Sequence, residues 1–596
     1  MHICRIEVQN FRNFHHLVLE VGEHAVIVGE NKIGKSNLVY ALRLVLDPKI
    51  SDSDRQLRMD DFWDGLPSPR TKNDFIHISV DITDFEDNED LMAVLAEHLV
   101  QAEPMVSRLT YLYRPIPGLK KPPQKEADYE FVVYGGDRPE NRIGYETRQC
   151  IPLTLLPALR NAEEDLANWR QSPLAPLLRA VSASMDRAKL EKAVEKVSAA
   201  TKSVANLSEI KSLADQIQES LRNSVGDGHA VATSLGFSPT DPDRLLRSLR
   251  LYIDNNTRTI ADASLGTANL MYLTLLSLEL QRQVAAGERS HTFLAIEEPE
   301  AHLHPHLQRL VYREFLSARD TEKAGAPSKK AETILLTTHS PHVVSVAPLK
   351  SIVLLRRSDS ENSTIGVSTA KLNLEEKTIQ DIERYLDVNR GEMVFAKGIL
   401  LVEGPAEEFI LPSLSKLLNI NFDQLGITVC SVDGTNFAPY VQFLGVKGLN
   451  IPWAVITDMD PQSPRKALGV ARANALLKQL DAKYNDKEMN REKVVRSAKK
   501  KGIFLNSYTL EVDLFQSGHH VVMCEVLSEM TANGAAKARA VEWKANPDKF
   551  EPKRFLADIE EIGKGRYAQR LASSLRLKRC PAYIQGAIKY VTNNIK

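Results

Sequence analysis

An eight-residue segment, Gly29-Glu-Asn-Lys-Ile-Gly34-Lys35-Ser36, fits the pattern GxxxxGK[ST]. It follows a short apolar run at residues 24–28 and precedes helical spacing over residues 37–46. Between a strand and a helix, the backbone N–H groups of such a loop cradle phosphates, the lysine reaches the β- and γ-phosphates, and the serine binds Mg²⁺. The segment therefore predicts a nucleotide site in an α/β domain.

The overall composition excludes several classes of protein. The chain has 596 residues, and its 76 Lys and Arg nearly balance its 77 Asp and Glu, giving a net charge of −1. This excludes a uniformly basic nucleic-acid-coating protein and an acidic disordered chain. We find no run apolar enough to span a membrane and no signal-peptide pattern. The five cysteines lie far apart without a CxxC pair, so we expect a cytoplasmic protein without disulfides.

Two later strand patterns end in side chains suited to the same nucleotide. The apolar run at residues 291–296 ends in Glu297 and Glu298, and the run at residues 334–338 ends in His339. Beside a P-loop, a carboxylate at a strand end can hold Mg²⁺, and the next carboxylate can orient the attacking water. We therefore assign Glu297 to the metal, Glu298 to the water and His339 to the γ-phosphate.

The segment Ser264-Leu-Gly266-Thr precedes a strongly amphipathic stretch at residues 269–286. It is either an ordinary helix cap, because Ser and Thr favour that position, or a signature loop that meets ATP bound on another subunit. The candidate ATP-binding residues are Gly29, Asn31, Gly34, Lys35, Ser36, Asn37, Ser264, Gly266 and His339. In this order, and with the opening Asn10-Phe-Arg-Asn-Phe14, the pieces resemble the ABC-type ATPase heads of RecF and SMC proteins. That resemblance implies a dimer with ATP between two heads.

A second cluster of acidic residues follows two further strand patterns. The run at residues 398–402 leads to Glu403 and Glu407, and the run at residues 451–457 leads to Asp458 and Asp460. Because the carboxyl ends of parallel strands meet at one edge of a sheet, we expect these acids to converge. Oxygen-only ligands suit Mg²⁺ or Mn²⁺ rather than structural zinc.

Three downstream residues complete the predicted carboxylate site. Glu511 and Asp513 stand beside a short strand pattern, and Lys564 lies between two glycines. A lysine near divalent ions can stabilise the charged phosphate of a phosphodiester undergoing hydrolysis. The strand-end Glu403 and the Asp458/Asp460 pair resemble a Toprim domain, which occurs in topoisomerases, primases and some nucleases.

An ATPase head followed by a Toprim domain resembles the OLD (overcoming lysogenization defect) family of nucleases, which includes the Gabija phage-defence nuclease. The resemblance implies a two-metal site formed by Glu403, Glu407, Asp458, Asp460, Glu511, Asp513 and Lys564. It implies an α/β fold whose parts are an ATPase head at 1–158 and 229–375, a helical insertion at 159–228, a linker at 376–395, and a Toprim domain with a helical tail at 396–596. The insertion is either a dimerisation arm or ordinary core packing.

The combined features predict a divalent-metal-dependent DNA endonuclease or nickase regulated by ATP, with a role in anti-phage defence implied by the family alone. The basic run at residues 491–501 either binds DNA or forms a helix whose charged side chains face solvent. The family also implies a homodimer or tetramer and a possible UvrD-like helicase or retron reverse-transcriptase–DNA partner. The alternative is a RecF- or SMC-like repair ATPase whose Toprim domain only binds. A primase or topoisomerase is disfavoured, since we find no zinc ribbon and no tyrosine-bearing DNA-binding domain.

Overall fold

The computed structural model describes two compact units. The first comprises Met1–Leu156, His291–Glu300 and Pro305–Lys596, and the second comprises Pro157–Ser290 and Ala301–His304. All residues are described except 69, 159–161, 171, 226–231, 233, 238–240, 255–256, 302, 317–331, 359–361, 387, 464–465, 482–483, 485–489, 578 and 596. The predicted nucleotide strands and the predicted Toprim domain therefore belong to the first unit.

The first unit opens with an antiparallel sheet. Its first segment contains β1 (His2–Phe11), β2 (Phe14–Glu20), β3 (Ala25–Gly29), α1 (Lys35–Leu46), α2 (Asp52–Arg55), β4 (Ile76–Thr83), α3 (Glu89–Leu95), β5 (Leu99–Gln101), β6 (Val106–Pro115), β7 (Tyr129–Gly135), α4 (Tyr145–Cys150) and β8 (Leu153–Leu156). The antiparallel sheet has the order β2-β1-β4-β6-β5, and β7 also pairs with β6. Alternate residues of β1 are buried, as expected for a strand with one face on a core.

The second unit is mainly helical. It contains α5 (Ala162–Ala167), α6 (Leu174–Ser184), α7 (Arg187–Ala205), α8 (Ser208–Val225), α9 (Pro242–Arg247), β9 (Tyr252–Ile253), β10 (Arg258–Thr259) and α10 (Leu265–Ala285). Residues of α5 and α10 share a small apolar core, whereas α7 has no buried residue. The unit runs on to Ser290, beyond the predicted end of the insertion, and residue 228 itself lies outside the described residues. The described residues between 232 and 290, predicted as ATPase head, thus group with the helices of the insertion.

A six-stranded, mostly parallel sheet holds the phosphate loop. The next chain segment contains β11 (Thr292–Glu297), α11 (Pro305–Leu316), β12 (Glu332–Thr338), α12 (Pro341–Val344), β13 (Ile352–Ser358) and β14 (Ser363–Ser368). Its four strands join β3 and β8 in this sheet. The strand order is β14-β13-β3-β12-β11-β8, with only β14 antiparallel. All five residues of β3 are buried, the pattern of a central parallel strand. The ends of β3, β11 and β12 consequently share one edge.

The remaining segment carries a second parallel sheet and many helices. Its elements are α13 (Glu376–Tyr385), α14 (Val388–Gly391), β15 (Gly398–Val402), α15 (Pro405–Leu417), α16 (Phe422–Leu425), β16 (Ile427–Ser431), α17 (Ala438–Leu444), β17 (Trp453–Thr457), β18 (Pro461–Ser463), β19 (Lys466–Ala467), α18 (Leu468–Leu480), α19 (Arg491–Lys500), β20 (Ile503–Leu505), α20 (Leu510–Leu514), α21 (His520–Met530), α22 (Gly534–Ala545), α23 (Pro552–Ile562), α24 (Lys564–Ser574) and α25 (Ala582–Asn594). The predicted linker at 376–395 thus contains two helices.

The second parallel sheet has the order β16-β15-β17-β20. All residues of β15 are buried, and α25 packs against β15, β17 and β20. A Cβ atom at Gly398 would lie 2.5 Å from Val591 Cγ1, so this strand accepts α25 only because it begins with glycine. The sheet places the carboxyl ends of β15, β17 and β20 along one edge, where Glu403, Asp458 and Asn506 follow.

Candidate functional site

The phosphate loop is closed over its own lysine. Gly34 caps α1 with φ 104°, and a Cβ atom there would lie 2.1 Å from Asn13 Nδ2, so both the backbone and the space require glycine. Lys35 Nζ donates to the carbonyl oxygens of Gly29 (3.1 Å) and Glu30 (3.2 Å). Burial lowers the pKa of Lys35. The ammonium group of Lys35 is thus held against the backbone of the phosphate loop.

His339 lies beside the loop lysine, at the end of β12. Its Nε2 atom is 2.5 Å from Lys35 Nζ and 3.3 Å from Glu298 Oε1. Burial and the charge of Lys35 lower the pKa of His339. Glu298 has φ 40°, in the left-handed region, which turns the chain sharply after Glu297, the last residue of β11. The sheet therefore brings Glu298 and His339 to the phosphate loop, where the sequence predicted them.

Glu300 is a residue of this site that the sequence reasoning missed. Its Oε1 atom accepts hydrogen bonds from His339 N (2.7 Å) and Thr338 Oγ1 (2.8 Å). Its other oxygen is buried without a hydrogen-bond partner. A buried carboxylate oxygen usually has a partner, so an orphan oxygen beside a phosphate loop fits a site that takes a hydrated cation or a nucleotide. The chain carried a signal for it in the Glu297-Glu298-Pro299-Glu300 run.

Residues of the Asn10–Phe14 motif form hydrogen bonds with the phosphate loop and with the first turn of α1. Asn13 Nδ2 donates to Ile33 O (2.5 Å) and Thr364 Oγ1 (2.6 Å), and Asn37 Nδ2 donates to Asn13 Oδ1 (2.7 Å). Arg12 joins this network through Asn37 Oδ1 at 2.8 Å. Asn37 is therefore engaged with the protein rather than exposed toward a ligand, while Asn31 and Ser36 are exposed.

The predicted signature segment is a helix cap in the second unit. Ser264 is the N-cap residue of α10, and its side chain accepts a hydrogen bond from Thr267 N at 3.3 Å. Gly266 lies in the first turn of that helix. Within a single chain, Ser264 therefore acts as a helix cap. Contact of this segment with ATP bound on another subunit stays a prediction.

The predicted carboxylate site begins where β15 and β17 end. Glu403 Oε1 accepts hydrogen bonds from Asp458 N (2.9 Å) and from the hydroxyl of Thr457. Two acidic residues on neighbouring strands are thus held together by a backbone N–H donor. Asp460, two residues on, has φ 45° and lies at the start of the following loop. The structure therefore brings Glu403, Asp458 and Asp460 to one edge, as strand order predicted.

Arg472 of α18 joins two of these acids and was not predicted. Its Nη1 atom donates to Glu403 Oε1, and its Nη2 atom donates to Asp460 Oδ2. The same guanidinium contacts Thr457 Oγ1 at 2.9 Å and Asp458 O at 3.2 Å. Hydrogen bonds between a guanidinium and carboxylates are charge-assisted and stronger than those between neutral groups. The site therefore holds an internal cation.

Glu407 and Glu511 are buried, and Asp458 beside them is half-buried. Burial raises the pKa of Glu407 to about 8, and the neighbouring carboxylates of Glu511 and Glu403 raise it further. Burial and the same neighbours raise the pKa of Asp458 well above its usual range. Like charges forced together in this way are typical of sites that bind divalent ions.

Asn506, at the end of β20, holds Asp458 in place. Its Nδ2 atom donates to Asp458 Oδ1, and its Oδ1 atom accepts from Met459 N at 2.7 Å. Burial, together with the charges of Asp458, Asp513 and Glu407, raises the pKa of Tyr583 on α25. The sequence analysis missed both residues, although Asn506 follows a strand just as Glu403 and Asp458 do.

The three downstream candidates have different surroundings. Asp513 accepts hydrogen bonds from Ser507 N (2.8 Å), Ser507 Oγ (2.6 Å) and Tyr508 N (3.1 Å), so it fixes the loop after β20. Glu511 is buried within electrostatic range of Glu407, Asp458 and Lys564. Lys564 begins α24, and its Nζ atom is 3.4 Å from Glu560 Oε1. Burial opposes its charge, but Glu511 and Glu560 outweigh burial and raise the pKa of Lys564.

The donor set fits a hard divalent cation in chemistry but not in its present spacing. Within the described residues, no group of three or more His, Cys, Asp or Glu side chains stands ready to hold a metal ion. The acids nevertheless offer only oxygen donors, the preference of Mg²⁺ and Mn²⁺. Arg472 lies between Glu403 and Asp460, which accounts for part of the misfit.

Two family models match the chain in the order of its two parallel sheets. One, described as an AAA domain (AbiEii toxin, Type IV TA system), matches residues 25–345. The other, the Toprim domain of overcoming lysogenization defect protein-like sequences, matches residues 394–460. The C-terminal region of the Burkholderia pseudomallei OLD protein is 39% identical over 34% of this chain and 100% of its own length, with a TM-score of 0.31. The chain belongs to the OLD family.

Full-length relatives of this OLD-family chain carry nuclease names. The OLD nuclease of Thermus scotoductus is 26% identical over 76% of this chain and 81% of its own length. The endonuclease GajA of Bacillus cereus is 22% identical over 79% of this chain and 77% of its own length. The predicted family and the predicted α/β class, an ATPase domain followed by a Toprim domain, are confirmed. No helix in the described part of the chain is long and apolar enough to cross a membrane.

Proposed function

We propose that this OLD-family chain is a divalent-metal-dependent DNA endonuclease or nickase whose cleavage is controlled by ATP binding or hydrolysis. The observation that carries the proposal is the convergence of Glu403, Asp458 and Asp460 at one sheet edge, with Glu407 and Glu511 buried behind them. Carboxyl groups crowded together in this way ionise more readily when a cation binds among them. The nuclease names of the relatives agree with this assignment.

Divalent ions at this site would be held by Glu403, Glu407, Asp458, Asp460 and Glu511. Such ions supply Lewis-acid activation of water and of the phosphodiester. In the hydrolysis, water adds to phosphorus and the P–O3′ bond breaks. Asn506 keeps the carboxylate of Asp458 oriented, and the ammonium group of Lys564 offers charge to a phosphate oxygen. Asp513 supports the same site by holding the loop at residues 507–508.

ATP would be held at the edge of the first parallel sheet. Lys35 and the first turn of α1 would bind the phosphates, Ser36 and Glu297 would bind the accompanying Mg²⁺, and Glu298 would orient water. His339, already beside Lys35, would contact the γ-phosphate. A second subunit would contribute Ser264 and Gly266, so this part of the proposal includes at least a homodimer. We also propose a cytoplasmic role in anti-phage defence, with a helicase or reverse-transcriptase–DNA complex as candidate partner.

The decisive experiment is cleavage of supercoiled plasmid with Mg²⁺ or Mn²⁺, with and without ATP. Asp458→Asn should abolish nicking and leave folding intact, because the amide has the shape of the acid and removes a buried charge. Glu408→Gln is the matched control, since Glu408 lies on the same helix as Glu407 but accepts a hydrogen bond from Ser431 N at 2.7 Å. Cleavage by Asp458→Asn at the wild-type rate would contradict the assignment.

A DNA-repair ATPase with a non-catalytic Toprim domain is the second candidate. It is favoured by one observation, the pairing of Arg472 with Glu403 and Asp460, which partly neutralises the cluster without metal. This alternative predicts that the protein binds DNA without cleaving it. It also predicts that the heat of metal titration is the same for the wild-type chain and for Glu403→Gln. Metal titration of the wild-type chain and of Glu403→Gln distinguishes the two candidates.

A further inference from the structure

The position of Arg472 is fixed by the way α18 starts. Leu468 N donates to Asp460 O (3.3 Å), and Gly469 N donates to Met459 O (3.0 Å). A Cβ atom at Gly469 would lie 2.2 Å from Asp458 O, so the helix reaches the Asp458–Asp460 loop this closely only with glycine there. Arg472 follows one helical turn after these contacts. The start of α18 therefore places Arg472 beside the carboxylates.

The guanidinium of Arg472 uses both terminal nitrogens on the strand ends. Nη1 donates to Glu403 and Thr457, and Nη2 donates to Asp460 and the carbonyl of Asp458. Its side chain is 15% exposed, and that of Glu403 is 19% exposed. A pair this shielded from solvent is screened less by salt than a surface pair. Arg472 is thus the cation that offsets the charge of Glu403 and Asp460.

Arg472 occupies one oxygen of each carboxylate, Glu403 Oε1 and Asp460 Oδ2. The planar guanidinium stands between the two carboxylates, with one nitrogen on each. Two oxygens bound to the same Mg²⁺ each lie only about 2.1 Å from the ion, so they must approach one another. Glu403 Oε1 and Asp460 Oδ2 can bind one ion together only after the guanidinium leaves them. The absence of any metal-ready cluster among the described residues agrees with this reading.

We propose that Arg472 is the resident cation of the metal-free nuclease site and that a divalent ion bound by Glu403 and Asp460 must displace it. The inference rests on the proposed metal-dependent function and adds a positioning residue to it. Metal binding then exchanges one cation for another. Arg472 keeps the site folded in the absence of metal, and the need to displace it lowers the apparent affinity of the site for metal.

The test uses the full chain with Mn²⁺ alone as the probe, followed by titration calorimetry and thermal unfolding. Arg472→Met keeps an unbranched side chain and removes the charge. Because charge-assisted hydrogen bonds are the ones lost, we expect metal-free Arg472→Met to unfold at lower temperature and to bind Mn²⁺ roughly 10- to 100-fold more tightly. Unchanged or weaker Mn²⁺ binding overturns the proposal.

A matched control and a second variant keep the outcomes separate. Arg539 pairs with the buried carboxylate of Asp558 elsewhere in the same unit. Arg539→Met should therefore lower the unfolding temperature without changing Mn²⁺ affinity. If Arg472→Met does not fold, Arg472→Lys replaces it, because lysine keeps the charge but lacks the two planar guanidinium nitrogens that contact both acids, and tighter Mn²⁺ binding is again expected. Unchanged Mn²⁺ binding by Arg472→Lys overturns the inference.

Failure of the proposed function gives a different result. In that case the wild-type chain shows no Mn²⁺ binding that Glu403→Gln removes, and Arg472 variants change only stability. If wild type binds Mn²⁺ through Glu403 but Arg472→Met binds it no better, the nuclease proposal stands and the displacement of Arg472 is wrong.

Discussion

Lys397 Nζ lies 3.1 Å from Glu30 Oε1, so the residue that precedes β15 is paired with a residue of the phosphate loop. β15 begins at Gly398 and ends at Val402, directly before Glu403. The short 3₁₀ helix Glu392–Phe395, just before Lys397, packs against β3, the strand that leads into the same loop. One ion pair and one packing contact thus join the nucleotide edge to the strand that carries the first acid of the carboxylate site.

We expect this pair to transmit the effect of ATP on cleavage. Glu30→Lys or Lys397→Glu should bring the ratio of cleavage rates with and without ATP closer to one, and the double reversal should restore it. Both side chains are more than half exposed, so each change should alter the free energy of unfolding by less than about 1 kcal/mol. Plasmid cleavage gives the ratio. Lys371→Glu, which breaks an exposed pair with Glu20, is the control, and full ATP response in both single variants would refute the coupling.

Replacement of the loop lysine tests the nucleotide site directly. Lys35→Met should weaken ATP binding roughly 10- to 150-fold, because hydrogen bonds to charged groups contribute about 1.5–3 kcal/mol each. A fluorescent ATP analogue in equilibrium titration measures the change. Lys32→Met alters an exposed lysine of the same loop and should leave the affinity within about threefold. Equal loss in both variants would mean that net charge, not the Lys35 position, binds the phosphates.

Gly469→Ala tests the close approach of α18 to the Asp458–Asp460 loop. Its Cβ atom would meet Asp458 O at 2.2 Å and Met459 Cα at 2.9 Å, so helix or loop must shift. Overpacking of this kind costs about 1–3 kcal/mol, measurable by urea unfolding. Gly534→Ala is the matched change in α22, where nothing lies within 4 Å, and it should be neutral or stabilise by up to about 1 kcal/mol. The expectation is wrong if both variants unfold alike.

Acid should destabilise the first unit through His24. Its Nδ1 atom accepts a hydrogen bond from Ile334 N at 3.1 Å, and burial lowers the pKa of His24 to about 4. The unfolded chain binds this proton near pH 6.5, so the stability that neutral His24 contributes is complete above pH 6.5 and is lost as the pH falls toward 4, by up to about 3 kcal/mol. His24→Asn keeps an acceptor and should flatten urea-measured stability over that range. The control variant His304→Asn changes an exposed histidine and should leave the pH dependence of stability unchanged.

Strand order made the centre of the carboxylate site predictable. Glu403 and Asp458 each follow a buried apolar run, and parallel strands end at the same edge, so convergence required no knowledge of the side chains. The same rule applied to β20 would have pointed to Asn506. A rule that considers only acidic residues passes over Asn506, because its side chain is a neutral amide.

Arg472 was beyond such reasoning. It stands twelve positions after Asp460 in a helix whose sequence alternates apolar and polar residues in the ordinary way, and only tertiary packing shows which side it faces. Asp513 illustrates the opposite difficulty. Its spacing from Glu511 suggested a ligand, yet a short acid beside a loop competes well for backbone N–H groups, and here it accepts two of them.

The boundaries of the inserted region were equally hard to read. A fall in proline and a rise in Ala, Glu and Lys marked its helices, but nothing in composition separates residues 229–290 from the ATPase head. Those residues join the inserted helices because Ile260, Ala268 and Leu275 pack with Ala162 and Leu166. Contacts between distant segments, rather than local propensity, decide such a boundary.

The central place of β3 also affects how the chain is made. Its two sheet neighbours are β12 and β13, both synthesised roughly 300 residues later. At about 5–20 residues per second, the apolar strand that carries the phosphate loop waits on the order of 15–60 s at the ribosome without either neighbour. During that interval its buried face is open to chaperones and to aggregation, and the nascent protein cannot assemble a nucleotide site. A freshly translated chain therefore completes the sheet around its phosphate loop late, after more than half of its length has been made.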